Sequence, residues 1–460
     1  MKNSWFSVPA MKAAAAAAGV AVLVLACSLG STPGTPALSK GVITAKGSVW
    51  VNGVEYADTA ASITIGDTAN HSDADLKVGM VVDVKGTVTG DSGKGDAAEI
   101  VYAADLQGTI DASPPIDLTT GVFYVFGHKI ATDKTTVFDG VSGLSGLAAG
   151  DRVEVSGTAD TAAGVFNATR VEKQLPGGDF SIRGTVSTLG TGSFVLTSDD
   201  GKSVTVNFTG TLGAGIANGS LVIVKFAAYS SPLSVTADKV RLITEPRGDN
   251  GEHTEVSGVV SNFAAGSPVT FTVDGVSVSA DSTLAAGVAN GVKVEVKGTM
   301  QGGVLVALKV KVEIESTIEA KGQVTAIDTA AGTLTLDGVL FTVSARTIFR
   351  DDTVSGASQF SLANLTVGNT LEASGYADPS SGAIMATRVE KQSGPGQTVL
   401  SAPVTAAVGS TLTMAGVSVN ISGLSNAAAL LAAITPGSEV TVTGTVSGTT
   451  FTATQGSIGG

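Results

Sequence analysis

Cysteine is almost missing from this 460-residue chain, which has one, Cys27. That excludes an intramolecular disulfide framework and any Cys-based metal cluster. Histidine occurs three times, too few for a His-rich metal centre. Aromatic residues make up 5 % and charged residues 15 %, which argues against an aromatic-lined groove. The 27 basic residues are outnumbered by 40 acidic ones, a net charge of −13. A strongly basic nucleic-acid binder is thereby excluded, because phosphate contacts supply most of such affinity. No apolar run after Cys27 is long enough to cross ~30 Å of hydrocarbon as a helix. What is plentiful is glycine, 59 residues, close to twice the usual ~7 % share. The length is about three times that of a ~150-residue domain. A multi-domain, glycine-punctuated β protein remains.

Lys2 and Lys12 are the only charges before Cys27, and Ala13 to Leu25 run without one. That stretch is too short to span a bilayer but suits the core of a secretory signal. Val24-Leu25-Ala26-Cys27 resembles the lipobox of bacterial lipoproteins, in which cleavage precedes the cysteine and its thiol is acylated. The resemblance implies a signal peptide over 1–26, lipidation of Cys27 and a tether over 27–40. The partner so implied is a membrane, reached through the N-terminal lipid. Ser28, rather than Asp, implies the outer membrane of a bacterial envelope.

Internal repetition dominates the rest. Residues 168–174 and 386–392 are the same heptapeptide, Ala-Thr-Arg-Val-Glu-Lys-Gln. A wider pattern places a glycine at 79, 150, 219, 291, 368 and 437, and seven residues later come Gly86, Gly157, Phe226, Gly298, Gly375 and Gly444. Between them runs an alternating strand, as in Val292 to Lys297. Five units open on a glycine followed mostly by β-branched residues, such as Gly41-Val42-Ile43 or Gly258-Val259-Val260, and the sixth has Ala402-Pro403-Val404 there. Asn52-Gly53, Asp274-Gly275 and Asp337-Gly338 mark tight hairpins. Short apolar pairs such as Leu144 and Leu147 mark a helical turn, which lengthens at Ala427–Ile434 after Ser425 and Asn426.

Five strands with a helical turn between the third and fourth match an OB-type small barrel. The predicted class is all-β: six tandem OB-like five-stranded β-barrels, beads on a string, near 41–103, 106–174, 180–244, 254–315, 317–392 and 397–457. Few contacts are expected between distant copies, and barrel closure is expected to remove exposed strand edges.

Gly47 to Tyr56 followed by Ala74 to Gly86 resemble the bacterial family called domain of unknown function 5666. The later Leu-x-x-Gly-x-x-Val-Glu-Val-Ser-Gly segments ending in Ala-Thr-Arg-Val-Glu are similar to it. Units one, two and five carry the resemblance most strongly, and the third and sixth depart most. It implies extracytoplasmic tandem modules and brings no catalytic residue.

The chemistry-bearing candidates are few. Trp50 and Tyr56 in the first unit, with Phe123, Tyr124 and Phe126 in the second, are the aromatic concentrations. They are candidate ligand-binding residues because OB-like barrels bind on one strand face with aromatic platforms; core packing is the competing reading. Asp199-Asp200 and Asp351-Asp352 read as turn acids, and Asp73 and Asp75 as helix-start acids. Gly90-Asp91-Ser92-Gly93 reads as a glycine-rich turn rather than a protease nucleophile segment. The charges of Arg170 to Lys173 and their twin at Arg388 read as a solvated strand face. Arg247-Gly248-Asp249 sits in a polar joint, where chance explains it.

No catalytic residue, metal ligand or cofactor is expected. The expected function is a non-enzymatic, lipid-anchored envelope protein whose modules bind, adhere or space. Its expected partner is a glycan or another envelope protein, and no nucleic acid. The alternatives are an envelope enzyme with a site between repeats and an OB-type oligosaccharide or nucleic-acid binder.

Overall fold

Two-residue hairpins of type I′ need positive φ at both central positions, which Asn-Gly and Asp-Gly tolerate best. Asn52, Asp274 and Asp337 have φ of 53°, 44° and 44°, each followed by a glycine at positive φ. Phe126-Gly127 and Ala415-Gly416 adopt the same turn. These hairpins join the second and third strands of their units in a computed structural model of the chain. It describes residues 34–90, 93–230, 234–314, 316–351, 353, 360–379, 381–394, 397–448 and 450–458. The signal segment 1–26, Cys27, Asp91, Ser92 and Asp352 lie outside the described residues.

The fourth unit shows the architecture plainly. Its strands are His253–Ala264, Val269–Val273, Val276–Ala280, Lys293–Gln301 and Val304–Val312. The first pairs with the second and the fourth, the second with the third, the third in parallel with the fifth, and the fifth with the fourth. That closes a ring in the order 1-2-3-5-4. Units five and six close the same ring, as does unit one. Unit three does so with its fifth strand split into Ser234–Thr236 and Lys239–Leu242. In unit two the ring is completed by a single bridge between Ile110 and Val125. The chain is thus all-β and built of repeated small barrels, as the repeat pattern predicts. The helical turn before the fourth strand is 3-10 at Asp73–Asp75, Leu144–Gly146 and Leu362–Asn364, and α at Ala427–Ala433. Asn426 does not cap that helix; its amide donates to the carbonyl of Gly456.

The repeated glycines have separate causes. The earlier glycine of each pair has φ between 83° and 92° in all six units. Its N–H donates to a first-strand carbonyl, such as Ile43 or Val260, at 2.8–2.9 Å, so a left-handed turn locks the fourth strand onto the first. The later glycine sits at a register shift. Lys297 faces Lys309 but Gly298 faces Ala307, leaving Leu308 as the extra residue of a β-bulge. The same shift occurs at Gly86, Gly157, Gly375 and Gly444. Unit three, with Phe226 there, has an unbroken register between its fourth strand and Lys239–Leu242.

Two expectations are corrected. Residues 35–40, read as tether, belong to the first strand Thr35–Ala45, where Ala37 and Leu38 are buried. And the barrels are not independent beads. In each ring the first half of strand one pairs only with strand four, so its other edge would stay unpaired. A second unit fills it. Ala37–Lys40 run parallel to His253–Val256, Ser181 and Ile182 pair with Gln107 and Leu106, and Glu319–Lys321 pair with Ser401–Val399. First strand thus meets first strand three times, joining units one and four, two and three, and five and six. Closure leaves an edge, and the edge makes the joints. Gly34 onward forms one compact unit by contacts.

Candidate functional site

Strand alternation decides the fate of the aromatic candidates. Val49 and Val51 are buried in the first barrel, so Trp50 between them faces outward and is half-buried, opposite Glu55. Phe123 and Val125 are buried in the second, so Tyr124 faces outward opposite Lys129. Each stands two residues before its hairpin turn. The residue at that position in units four, five and six is Thr272, Thr335 and Thr413. The other three candidates are corrected to core. Tyr56 is fully buried, its hydroxyl 2.7 Å from Ser39 Oγ, and burial pushes that phenol up to about 12. Phe123 is fully buried. Phe126 packs edge-on to Phe180 and tilted to Phe226, with ring centroids 5.6 and 5.4 Å away. Phe226, the residue that breaks the glycine pattern, therefore serves the joint between units two and three.

The polar residues gather where the one–four pair meets the two–three pair. Arg183, in the first strand of unit three, donates to Asp105 at 2.7 Å, Asp199 at 2.6 Å and Glu245 at 2.9 Å. Lys40, in the shared ladder, lies 3.2 Å from Glu245, 3.5 Å from Asp274 and 3.7 Å from Asp83. Five carboxylates thus face two cations, and four of them, Asp83, Asp105, Glu245 and Asp274, line a cavity of about 10 Å³, room for one water. The turn residues reach it because strand one carries a glycine beneath them: a Cβ on Gly258 would crowd Asp274, and one on Gly41 would collide with Asn52. Asn52 in turn donates to the carbonyls of Lys40 and Glu255 and accepts from Ser257. In sequence Asn52, Asp199 and Asp274 read as turn residues alone, and Lys40, Asp105, Arg183 and Glu245 do not stand out. The available signal was a lysine and an arginine in first strands that otherwise carry apolar and small residues.

Burial pushes the Asp83 carboxyl up to about 7; Lys40 opposes this, and Glu245 and Asp274 add to it. Unfolded, an aspartate titrates near ~4. Between those values the folded form holds a proton that the unfolded chain has lost. The contribution of Asp83 to stability is therefore complete below pH ~4 and lost as pH rises to about 7. Asp83→Asn should flatten that part of the urea-midpoint profile relative to the parent; an identical profile would mean that Asp83 is ionised throughout.

Other sequence candidates are also structural. Arg170 and Arg388 are 3 % and 8 % exposed, not a solvated face. Arg170 pairs with Asp139 and Glu172, and Arg388 with Glu372 and Glu390, while Arg350 of unit five reaches Asp139 of unit two. Asp200 is buried against His128, 2.7 Å from its Nδ1. In the Arg-Gly-Asp tripeptide, Asp249 pairs with Lys85 at 3.0 Å and Arg247 gives Lys85 a carbonyl. Among the described residues no group of three or more His, Cys, Asp or Glu is arranged to hold a metal ion.

The family model described as Domain of unknown function (DUF5666) matches residues 40–101, 107–172, 257–311 and 321–390, more than half of the chain. The matched segments are units one, two, four and five; the ring itself extends to units three and six. No curated protein matches. Among solved structures, a deletion mutant of the single-stranded DNA binding protein from Thermus aquaticus is similar over 31 % of this chain and 87 % of that one, with 14 % identity and a TM-score of 0.12.

Proposed function

The chain belongs to the domain of unknown function 5666 family, and from that premise we propose that it is a non-enzymatic, lipid-anchored envelope protein that binds an external glycan or envelope protein through its first two barrels. The observation that carries this reading is the outward pair Trp50 and Tyr124, at a strand-two position filled by threonine in units four, five and six. Large aromatics on a half-open strand face cost solvation unless a ligand covers them, and they give a ligand much contact area at low conformational entropy. The inter-unit ladders and ion pairs act as a frame that holds such a face still.

Two experiments test it. Residues 34–460 should retain a ligand on a glycan array or in a pull-down from envelope extracts. The sibling substitution Trp50→Thr with Tyr124→Thr should then reduce that retention at least tenfold while leaving circular dichroism unchanged. Equal retention by the double variant would end this assignment of the face. For the anchor, mass spectrometry of envelope fractions should find the N-terminal peptide acylated at Cys27, and Cys27→Ala should release the protein in soluble form. An unmodified Cys27 in mature protein would remove the lipid from the proposal.

A further inference from the structure

Unit one carries an excursion between its third and fourth strands, the hairpin Ser62–Ile65 and Thr68–His71. Its first arm pairs with the unit's fifth strand, from Ser62↔Glu99 to Ile65↔Tyr102, while its second arm pairs only with the first and is mostly exposed. At the tip, after Gly66 at φ 60°, stands Asp67. Its side chain is 4 % exposed and meets cations of unit three. There Lys225 lies 2.8 Å away, Lys239 2.5 Å and Arg241 3.7 Å.

Those three cations are arranged in a way that demands an anion. Lys225 and Lys239 are direct cross-strand partners, and like charges opposite one another destabilise a sheet. Arg241 continues the same edge strand two residues on, facing the same side. One carboxylate against three cations leaves a local surplus of positive charge in a chain whose net charge is −13. The carboxylate is held low, to about 2, with burial opposing and the two lysines prevailing. The Arg241 and Lys239 side chains are 50 % and 39 % exposed, so solvent reaches the cluster without any barrel opening.

We propose that Lys225, Lys239 and Arg241 form an anion-binding site on unit three for a carboxylate or phosphate group, and that Asp67 of unit one is its built-in occupant. The hairpin acts as a tethered competitor. An external anion must displace a carboxylate whose effective concentration is set by a short tether, on the order of millimolar or above. The parent protein therefore binds free anions weakly, and a ligand that also engages the exposed face of Arg241 gains the advantage.

The test uses the full chain and two probes, inorganic phosphate and acetate, read by calorimetry and by acetylation footprinting of lysines. Asp67→Asn preserves the turn and removes the charge. It should bind at least one probe tenfold or more tighter than the parent does. Lys225 and Lys239 should become reactive in the variant and regain protection when the probe is added. Tighter binding of phosphate assigns a phosphate ligand, and tighter binding of acetate a carboxylate. Adding Lys239→Gln and Arg241→Gln in the Asp67→Asn background should abolish the gain. Should Asp67→Asn lose the native fold, the parent decides: saturating phosphate should displace the hairpin and speed hydrogen exchange in Thr68–His71 while Lys225 and Lys239 stay protected. A folded Asp67→Asn that binds neither probe better than the parent, or a parent whose hairpin exchange ignores phosphate, overturns the proposal.

Discussion

Replacing Arg183 by methionine should cost the barrel assembly about 3–5 kcal/mol, the usual penalty for leaving buried charges without their partner. Arg183 is 9 % exposed, and its guanidinium holds Asp105, Asp199 and Glu245 at once. Methionine fills much of the same volume, so the loss is electrostatic rather than a cavity. Lys40 would then be left as the remaining cation of the two, and protonation of Asp83 and Asp105, both already pushed up to about 7 by burial, would become the cheapest remedy. The variant should therefore recover part of its stability as pH falls from 7 towards 5, where Asp83 and Asp105 take up protons. The measurement is the urea midpoint of the full chain at both pH values. A loss below ~1 kcal/mol would show that water, not Arg183, solvates the junction.

Position in the chain would not reveal that junction. Lys40, Asp83, Asp105, Arg183, Asp199, Glu245 and Asp274 span 235 positions, from 40 to 274, and only strand-one pairing across units brings them together. Local rules are readable residue by residue: valine alternation, Asn-Gly and Asp-Gly turns, and a helical turn before the fourth strand each answer to a few neighbouring side chains. Joints answer to a different variable, the half-edge that a 1-2-3-5-4 ring leaves on strand one. Any other first strand satisfies that edge equally well in hydrogen bonds, so the choice of unit four for unit one lies in side chains such as Asn52 and Ser257, whose 2.8 Å bond no spacing announces. The same logic turned Arg170 and Arg388 from solvated charges into buried ones. Alternation says only that a residue leaves its own barrel, not whether water or another barrel meets it. For three of the aromatic candidates alternation was sufficient: it separates Trp50 and Tyr124, which face out, from Phe123, which faces in. Tyr56 and Phe126 needed the structure, because one is covered by Ser39 of strand one and the other by rings from unit three.

The glycine after the alternating strand is the clearest case of a sequence repeat with a steric cause, and Gly298→Val should destabilise the chain by roughly 2–4 kcal/mol. Gly298 is not among the residues at positive φ, so strain in φ is not the reason. A Cβ there would lie against the carbonyl of Val306 and the Cα of Ala307. Both are backbone atoms of the partner strand, pinned by the bulge at Leu308, and cannot rotate away as a side chain would. The same collision, with the carbonyls of Asp96, Asn167, Met385 and Thr452, recurs at Gly86, Gly157, Gly375 and Gly444. Unit three escapes it because no bulge forms there, which frees Phe226 to fill the joint with Phe126 and Phe180. Gly275→Ala is the control, since a Cβ at that turn glycine meets nothing within 4 Å but its φ is 81°; it should cost about 1 kcal/mol through φ alone. Urea midpoints of the full chain separate the two. If Gly298→Val cost no more than Gly275→Ala, crowding at the bulge would not explain the repeat, and the glycine would have to serve a surface that approaches the strand from outside.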